Sequence, residues 1–395
     1  MQKQNDVPHD DGERQDIPST IRSLKNLIDQ VSGKSLDHLT PQEDSGIAEV
    51  VPLPFLAIVG QSEMKLALLL SIINPNIGGV LLIGPRGTGK TTIVRSLIGL
   101  LPDIPKSLCF YGCTPEDIQS GGMDAVCPDC AKKYGEGKPL TVMGRARLVE
   151  LPLNSQIEDA IGGINERAEI HERMRLRRGI LAEADRSILF VDEVNLVEDE
   201  VIDVILDAAA QGYYLVRRGP ISATYWSRFI LIGSMNPEEG TLRPQIMDRF
   251  GLRVIVKGLE DPDKRLEAYR RVHAYQINPR KVAAEFEDEM KTAQEEVQLS
   301  RDLLPQVTIS DEVACYGLRL IESLGIDTLR AEITLFEAAR AYAIADGRLE
   351  VSKEDLYSVA PMALRLRRSA FISKYLEHQD LEEEELKDAI SQVFD

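Results

Sequence analysis

One octapeptide, Gly84-Pro85-Arg86-Gly87-Thr88-Gly89-Lys90-Thr91, constrains this chain more than any other stretch. It fits G-x-x-x-x-G-K-[ST] and sits between an apolar run, Val80-Leu81-Leu82-Ile83, and a helical pattern over Thr91–Gly99. Each residue type has a physical reason. Glycines let the backbone turn so that its N–H groups face phosphate oxygens. A helix opening near Lys90 adds the positive end of its dipole. Lys90 is placed to reach β- and γ-phosphates, and the Thr91 hydroxyl to hold Mg²⁺. The loop from Gly84 through Pro85, Arg86, Gly87, Thr88 and Gly89 to Lys90 and Thr91 is therefore expected to cradle the phosphates of ATP.

Two more apolar runs end in chemically loaded residues. Ile188-Leu189-Phe190-Val191 leads into Asp192 and Glu193. Asp192 is expected to hold Mg²⁺, directly or through water, and Glu193 to polarise the attacking water as general base. Phe229–Gly233 runs into Ser234-Met235-Asn236-Pro237. Asn236 can hydrogen-bond the attacking water or the γ-phosphate, although Asn before Pro is also an ordinary turn starter. Helical patterns such as Thr91–Gly99 and Glu200–Ala210 separate these runs. Strands alternating with helices predict a parallel sheet with helices on both faces, with ligands beyond the carboxyl ends of the strands.

Outside this region the pattern changes twice. Residues 1–50 are polar, with scattered acids and prolines, and read as a flexible arm with one weak helix over Thr20–Val31. The α/β pattern fills 51–258. From 259 to 395 strand signals vanish and an all-helical domain is expected. Asp261-Pro262-Asp263 opens its first helix, Lys281–Leu299 is a charged helix, and Asp311–Ser323, Leu329–Ala345 and Lys353–Arg365 are three more. Glu382–Phe394 reads as a last acidic helix.

Net charge of −18, from 46 basic and 64 acidic residues, argues against a nucleic-acid partner. The longest apolar stretch, Leu66–Ile73, ends at Asn74-Pro75-Asn76, well short of the roughly 20 residues a membrane span needs. No apolar run follows Met1, and Asp10, Asp11 and Glu13 are acidic where organelle transit peptides are not. The expectation is a cytoplasmic protein without a membrane span.

The phosphate motifs alone point to an AAA+ ATPase. A longer block, Asn236-Pro237-Glu238-Glu239-Gly240-Thr241-Leu242-Arg243-Pro244-Gln245-Ile246-Met247-Asp248-Arg249-Phe250-Gly251, resembles a stretch of the magnesium chelatase ATPase subunit. Val59-Gly60-Gln61, Val191–Leu196, Val204–Ala210 and Arg340 within Ala338–Ala341 agree with it, so that the resemblance covers about 55–368. It implies that Asn236 is the sensor-1 residue. It makes Arg249 the arginine finger that reaches a nucleotide on the neighbouring subunit, and Arg330 the sensor-2 arginine. Guanidinium groups at those places would stabilise charge on the transferring phosphoryl group. Read alone, Arg249 could equally pair with Asp248, and Arg330 could cap a helix. The family also implies an insert over Leu148–Ile170 and a hairpin over Tyr213–Tyr225 that turns at Gly219-Pro220. The polar arm, and Ser222–Trp226 in place of a basic stretch before Arg228, depart from the family pattern.

Four of the five cysteines cluster as C-x₃-C-x₁₃-C-x₂-C: Cys109, Cys113, Cys127 and Cys130. Four thiolates suit a structural Zn²⁺, and the loop-like segment between them would gain from a staple. Free thiols in a reducing cytosol and a redox-sensitive pair are the alternatives. Cys315, in a helix, reads as core.

The fold expected is thus an AAA+ P-loop NTPase, a parallel sheet flanked by helices and followed by a helical lid, binding ATP and Mg²⁺. The resemblance implies a homo-oligomeric ring, most often a hexamer in this superfamily, which drives Mg²⁺ insertion into protoporphyrin IX on the (bacterio)chlorophyll branch. It implies two partners, an AAA+-like bridging subunit and a large porphyrin-binding subunit. The alternative is a chaperone-like ATPase that remodels a protein client with a metal-ion-adhesion-domain partner.

Overall fold

The computed structural model describes residues 51–109, 112–163, 178–218 and 221–367. The arm with its Thr20–Val31 helix, the Gly219-Pro220 turn, the part of the Leu148–Ile170 insert beyond Gly163, and the Glu382–Phe394 helix lie outside them.

Nine strands are described: β1 (Val80–Ile83), β2 (Ile104–Ser107), β3 (Thr141–Gly144), β4 (Leu148–Glu150), β5 (Ile188–Val191), β6 (Tyr213–Arg218), β7 (Ile221–Trp226), β8 (Ile230–Met235) and β9 (Leu252–Ile255). Five form the main sheet in the order β4-β5-β8-β1-β9, and every pairing in it is parallel. The three apolar runs picked out in the sequence are β1, β5 and β8, which lie side by side in the middle. Each is wholly buried, as strands covered on both faces must be. Sequence reading missed the two edges. β4 is a three-residue strand at the head of the expected insert, and β9 follows directly on the long Asn236–Gly251 block.

Register decides where the chemistry meets. Ile83 stands opposite Met235, so β1 and β8 end level, and Val191 stands opposite Gly233, so β5 ends two residues short of them at the same edge. The Gly84 N–H continues the ladder by donating to the Met235 carbonyl at 3.1 Å. Close approach matters at Gly251, just before β9. A Cβ there would stand 1.8 Å from the Ile77 carbonyl oxygen, so any other residue would push β9 off the sheet.

The two other strand pairs, β2–β3 and β6–β7, are antiparallel and stand apart from the main sheet. β6–β7 is the hairpin expected over Tyr213–Tyr225.

Beyond β9 the described residues are helical, apart from a single bridge between Thr308 and Glu350. Pro262–Ile277 begins at Asp261, whose side chain accepts from the Asp263 N–H at 3.0 Å. The charged helix expected over Lys281–Leu299 is instead two helices, Pro279–Glu285 and Glu287–Leu303. The chain bends at Phe286, whose ring packs on the small Leu53–Ala57–Val282 cluster beneath the Arg271 guanidinium. Cys315 is exposed, not core. The buried stripe of its helix carries Val313, Gly317 and Ile321, four residues apart, and Cys315 lies off that stripe.

One apolar core joins the sheet to the helical part. Leu68, Ile72, Val80 and Ile232 share it with Ala331, Leu335, Ala338 and Val359. Small residues on one face of Leu329–Ala345 let that helix sit close against Ser62–Ile73. The change at residue 259 is therefore one of secondary structure, while packing runs across it.

Candidate active site

The carboxyl ends of β1, β8 and β5 open into one cleft of about 300 Å³, lined by Arg86, Lys90, Thr91, Asp192, Glu193 and Asn236 among others. Gly89, in the left-handed region at φ +87°, turns the loop into the helix Lys90–Ser96. The Lys90 Nζ donates to the Gly84 carbonyl at 2.6 Å and the Pro85 carbonyl at 2.8 Å, so the ammonium spans the loop. Burial pulls Lys90 below its ordinary pKa, against Asp192, Glu239 and Glu193, which favour its charged form.

Thr91 and Asp192 meet from opposite walls. The Thr91 hydroxyl donates to Asp192 Oδ2 at 3.2 Å, and Ser234 donates to Oδ1. The same Ser234 Oγ accepts from the Glu193 N–H at 3.2 Å. A hydroxyl next to a carboxylate is a hard oxygen donor set that suits Mg²⁺. Glu193 itself sits at φ +52°, a left-handed conformation unusual for a residue with a side chain. That twist aims its carboxylate into the cleft and away from the strand.

Four charged or polar side chains link across the cleft mouth. Arg86 Nη2 lies 3.0 Å from Glu193 Oε1, and Arg86 Nε lies 2.5 Å from Glu239 Oε1. Asn236 Nδ2 donates to that same Glu239 oxygen at 2.8 Å. Asn236 also accepts from the Glu238 N–H at 3.2 Å, so it is both a turn starter and a cleft residue. Ser234 and Glu239 escaped sequence reading, because nothing local marks a serine inside a strand or an acid after a turn. Asn195 adds a buried amide with neither polar atom partnered.

A second cleft, of about 870 Å³, adjoins the first through Gly87, Thr88, Gly89 and Thr92. Its other walls come from Ile58 and Val59 on one side and Leu259 and Arg265 on the other. Gln61 ties the walls together by donating to the Lys257 carbonyl at 2.7 Å. Roomy, lined by both apolar and polar side chains and joined to a phosphate-type cradle, it has the form a nucleoside needs.

Arg249 and Arg330 do not line either cleft. Arg249 Nη1 stands 2.5 Å from Asp207 Oδ1, not paired with Asp248. Asp248 instead gathers three other arginines: Arg253 at 3.3 Å, Arg330 at 3.2 Å and Arg367 at 2.8 Å. Burial, with Arg367 beside it, pushes the Arg253 guanidinium down to about 10. Arg330 thus stands at the helix Pro244–Arg249 that carries Arg249, not over Lys90.

The four clustered cysteines come together: their sulfurs all lie within 4.8 Å of one another. The segment between them, read as loop, contains the helices Pro115–Gly121 and Pro128–Gly135, each begun by a proline in its first turn behind a capping residue. Among the described residues, no helix is long and apolar enough to cross a membrane.

Comparison with known proteins places these features in a family. The model described as "Magnesium chelatase, subunit ChlI" matches residues 55–110 and 163–260, and the AAA lid domain model matches 319–389. A magnesium-chelatase subunit ChlI homolog of Methanocaldococcus jannaschii is 42% identical over 334 residues, covering 84% of this chain and 90% of its own length. The chloroplastic magnesium-chelatase subunit ChlI-2 of Arabidopsis thaliana is 40% identical over 317 residues, covering 80% and 75%. A crystal structure from Cytophaga hutchinsonii, 20% identical with a TM-score of 0.52, covers 79% of this chain and 84% of its own, a likeness of fold alone.

Proposed function

Because this chain belongs to the magnesium chelatase ChlI family of AAA+ ATPases, we propose that it hydrolyses Mg-ATP as the motor subunit of a magnesium chelatase and so drives Mg²⁺ insertion into protoporphyrin IX. The observation that carries the hydrolytic part is the meeting of Lys90, the Thr91–Asp192 pair, Glu193 and Asn236 at the ends of three adjacent strands. Lys90 and the loop N–H groups bind the β- and γ-phosphates, and Thr91 and Asp192 hold the metal ion of the substrate. That ion would neutralise charge on the phosphates. Glu193 takes the proton of the attacking water, and Asn236 orients that water.

Arg86 occupies Glu193 until a γ-phosphate competes for the guanidinium, which leaves the carboxylate available as base. Arg249 and Arg330 serve the nucleotide of the neighbouring subunit. Their shared position at the Pro244–Arg249 helix, off the chain's own clefts, supports that reading. A ring, most simply a hexamer, then gives each site one arginine set from the next chain. An AAA+-like bridging subunit and a large porphyrin-binding subunit are the partners, with the porphyrin chemistry on the latter.

Reconstitution tests the reading. The purified chain with its cognate partner subunits, ATP, Mg²⁺ and protoporphyrin IX should form Mg-protoporphyrin, followed by its fluorescence. ATP hydrolysis without any metalloporphyrin, in the presence of both partners, would refute the chelatase assignment and leave the ATPase.

A further inference from the structure

We propose that Cys109, Cys113, Cys127 and Cys130 form a single tetrahedral Zn²⁺ site that staples the segment between β2 and β3 to itself. Cys109 Sγ lies 3.9 Å from Cys113 Sγ and 3.6 Å from Cys127 Sγ. Those separations are far beyond an S–S bond of about 2.05 Å. They match the spacing of about 3.8 Å between sulfurs that Zn–S bonds of about 2.3 Å set at tetrahedral angles. A multi-iron cluster would need its thiolates on different irons and farther apart, whereas all four sulfurs here fall within 4.8 Å of one another.

The surroundings are built for thiolates. The Cys127 N–H points at Cys113 Sγ at 3.3 Å, and the Cys130 N–H points at Cys127 Sγ at 3.4 Å. Backbone donors on ligand sulfurs are the outer-shell contacts that orient and stabilise a metal thiolate. Three of the four cysteines are buried. Four sulfurs gathered this closely, with three of their residues buried, form a ready-made donor set for one dication. On binding, Zn²⁺ displaces one proton from each Sγ and leaves a tetrathiolate of net charge −2.

The segment has little apolar core of its own. Its separate core consists of Cys113, Val126, Cys127, Cys130 and Leu140, so only two buried members are not cysteine. A core that small does not fold on apolar burial, and a structural metal supplies what is missing. The ChlI family match skips residues 111–162, which hold Cys113, Cys127 and Cys130, while Cys109 lies at the end of a matched block. Glu116, on the helix between Cys113 and Cys127, reaches Arg186 and lies 3.1 Å from Arg228, so a held segment braces those arginines near the β6–β7 hairpin.

Metal analysis of the full-length chain, purified under reducing conditions without added metal, should find about one zinc per chain. A Cys127→Ser, Cys130→Ser double variant should lose it, and Cys315→Ser should keep it. If the double variant does not fold, titrating the unmodified chain with a mercurial should release one zinc, read with a chelating dye, and expose 112–140 to protease. Cobalt substitution should give sulfur-to-metal charge-transfer bands of a tetrahedral thiolate site. Zinc below about a tenth of an equivalent even after incubation with Zn²⁺ and reductant would overturn the proposal. So would one equivalent of iron in its place, or a disulfide among these four cysteines in the reduced preparation.

Discussion

Arg86 and Glu193, 107 residues apart in the chain, are ion-paired across the mouth of the phosphate cleft at 3.0 Å. The residue expected to act as base is therefore held by an arginine of the phosphate loop itself. The Arg86 side chain is 69% exposed, so the pair contributes little to folding. Arg86→Ala should leave the melting temperature unchanged while altering ATP turnover. A large drop in thermal stability, seen by differential scanning calorimetry, would contradict this.

Glu193→Gln keeps the shape of the side chain and removes its basicity. ATP should still bind with near-normal affinity, while single-turnover hydrolysis slows by about 10²–10⁴-fold, the range for a general base. Hydrolysis within a factor of a few of the unmodified chain would remove Glu193 from its assigned role.

Arg249→Ala and Lys90→Ala should each abolish hydrolysis alone. Mixed, they should regain part of it, since a ring site can then combine an intact loop from one chain with an intact arginine from the next. Mixed rings must be verified by native mass spectrometry. Verified mixed rings without recovered turnover would place both residues in one chain's site.

Asp248 is the shared partner of Arg253 and Arg367, whose side chains are 1% and 0% exposed. Removing the carboxylate leaves two buried cations short of their counter-charge. Asp248→Ala should destabilise the fold by about 3 kcal/mol, measured by urea unfolding. A loss below about 1 kcal/mol would mean that the carbonyls bound by those arginines suffice.

Asp355 predicts a pH dependence. Burial works to raise its pKa, but the Arg348 fork, at 2.8 and 2.5 Å, and the Ser352 N–H at 2.8 Å overcome it, so the net shift is downward. A carboxyl depressed in the folded state adds stability that is complete above its unfolded value of about 3.9 and is lost as pH falls through the lower folded value. The unmodified chain should therefore exceed Asp355→Asn in stability near neutrality, and the gap should shrink below about pH 4. A gap constant with pH would show that the contribution is not one of charge.

The sequence alone determined the local pieces. The phosphate loop, the three strands that lead into Lys90, Asp192–Glu193 and Asn236, and most helix starts depend on residues within a few positions of one another, where sterics and hydrogen bonding are decided at short range. The Asn236–Gly251 block was long enough to identify a family. Only the tertiary structure decided which distant side chains meet. Sheet order and register put Ser234 between Asp192 and Glu193. Helix packing turned Cys315 outward and brought Arg330 and Arg367 to Asp248. The four cysteines, legible as a spacing, became a candidate metal site only when the fold of the chain brought their sulfurs within 4.8 Å of one another. Those meetings cross tens to hundreds of residues of chain, and their energies exist only once the core has fixed the elements that carry them.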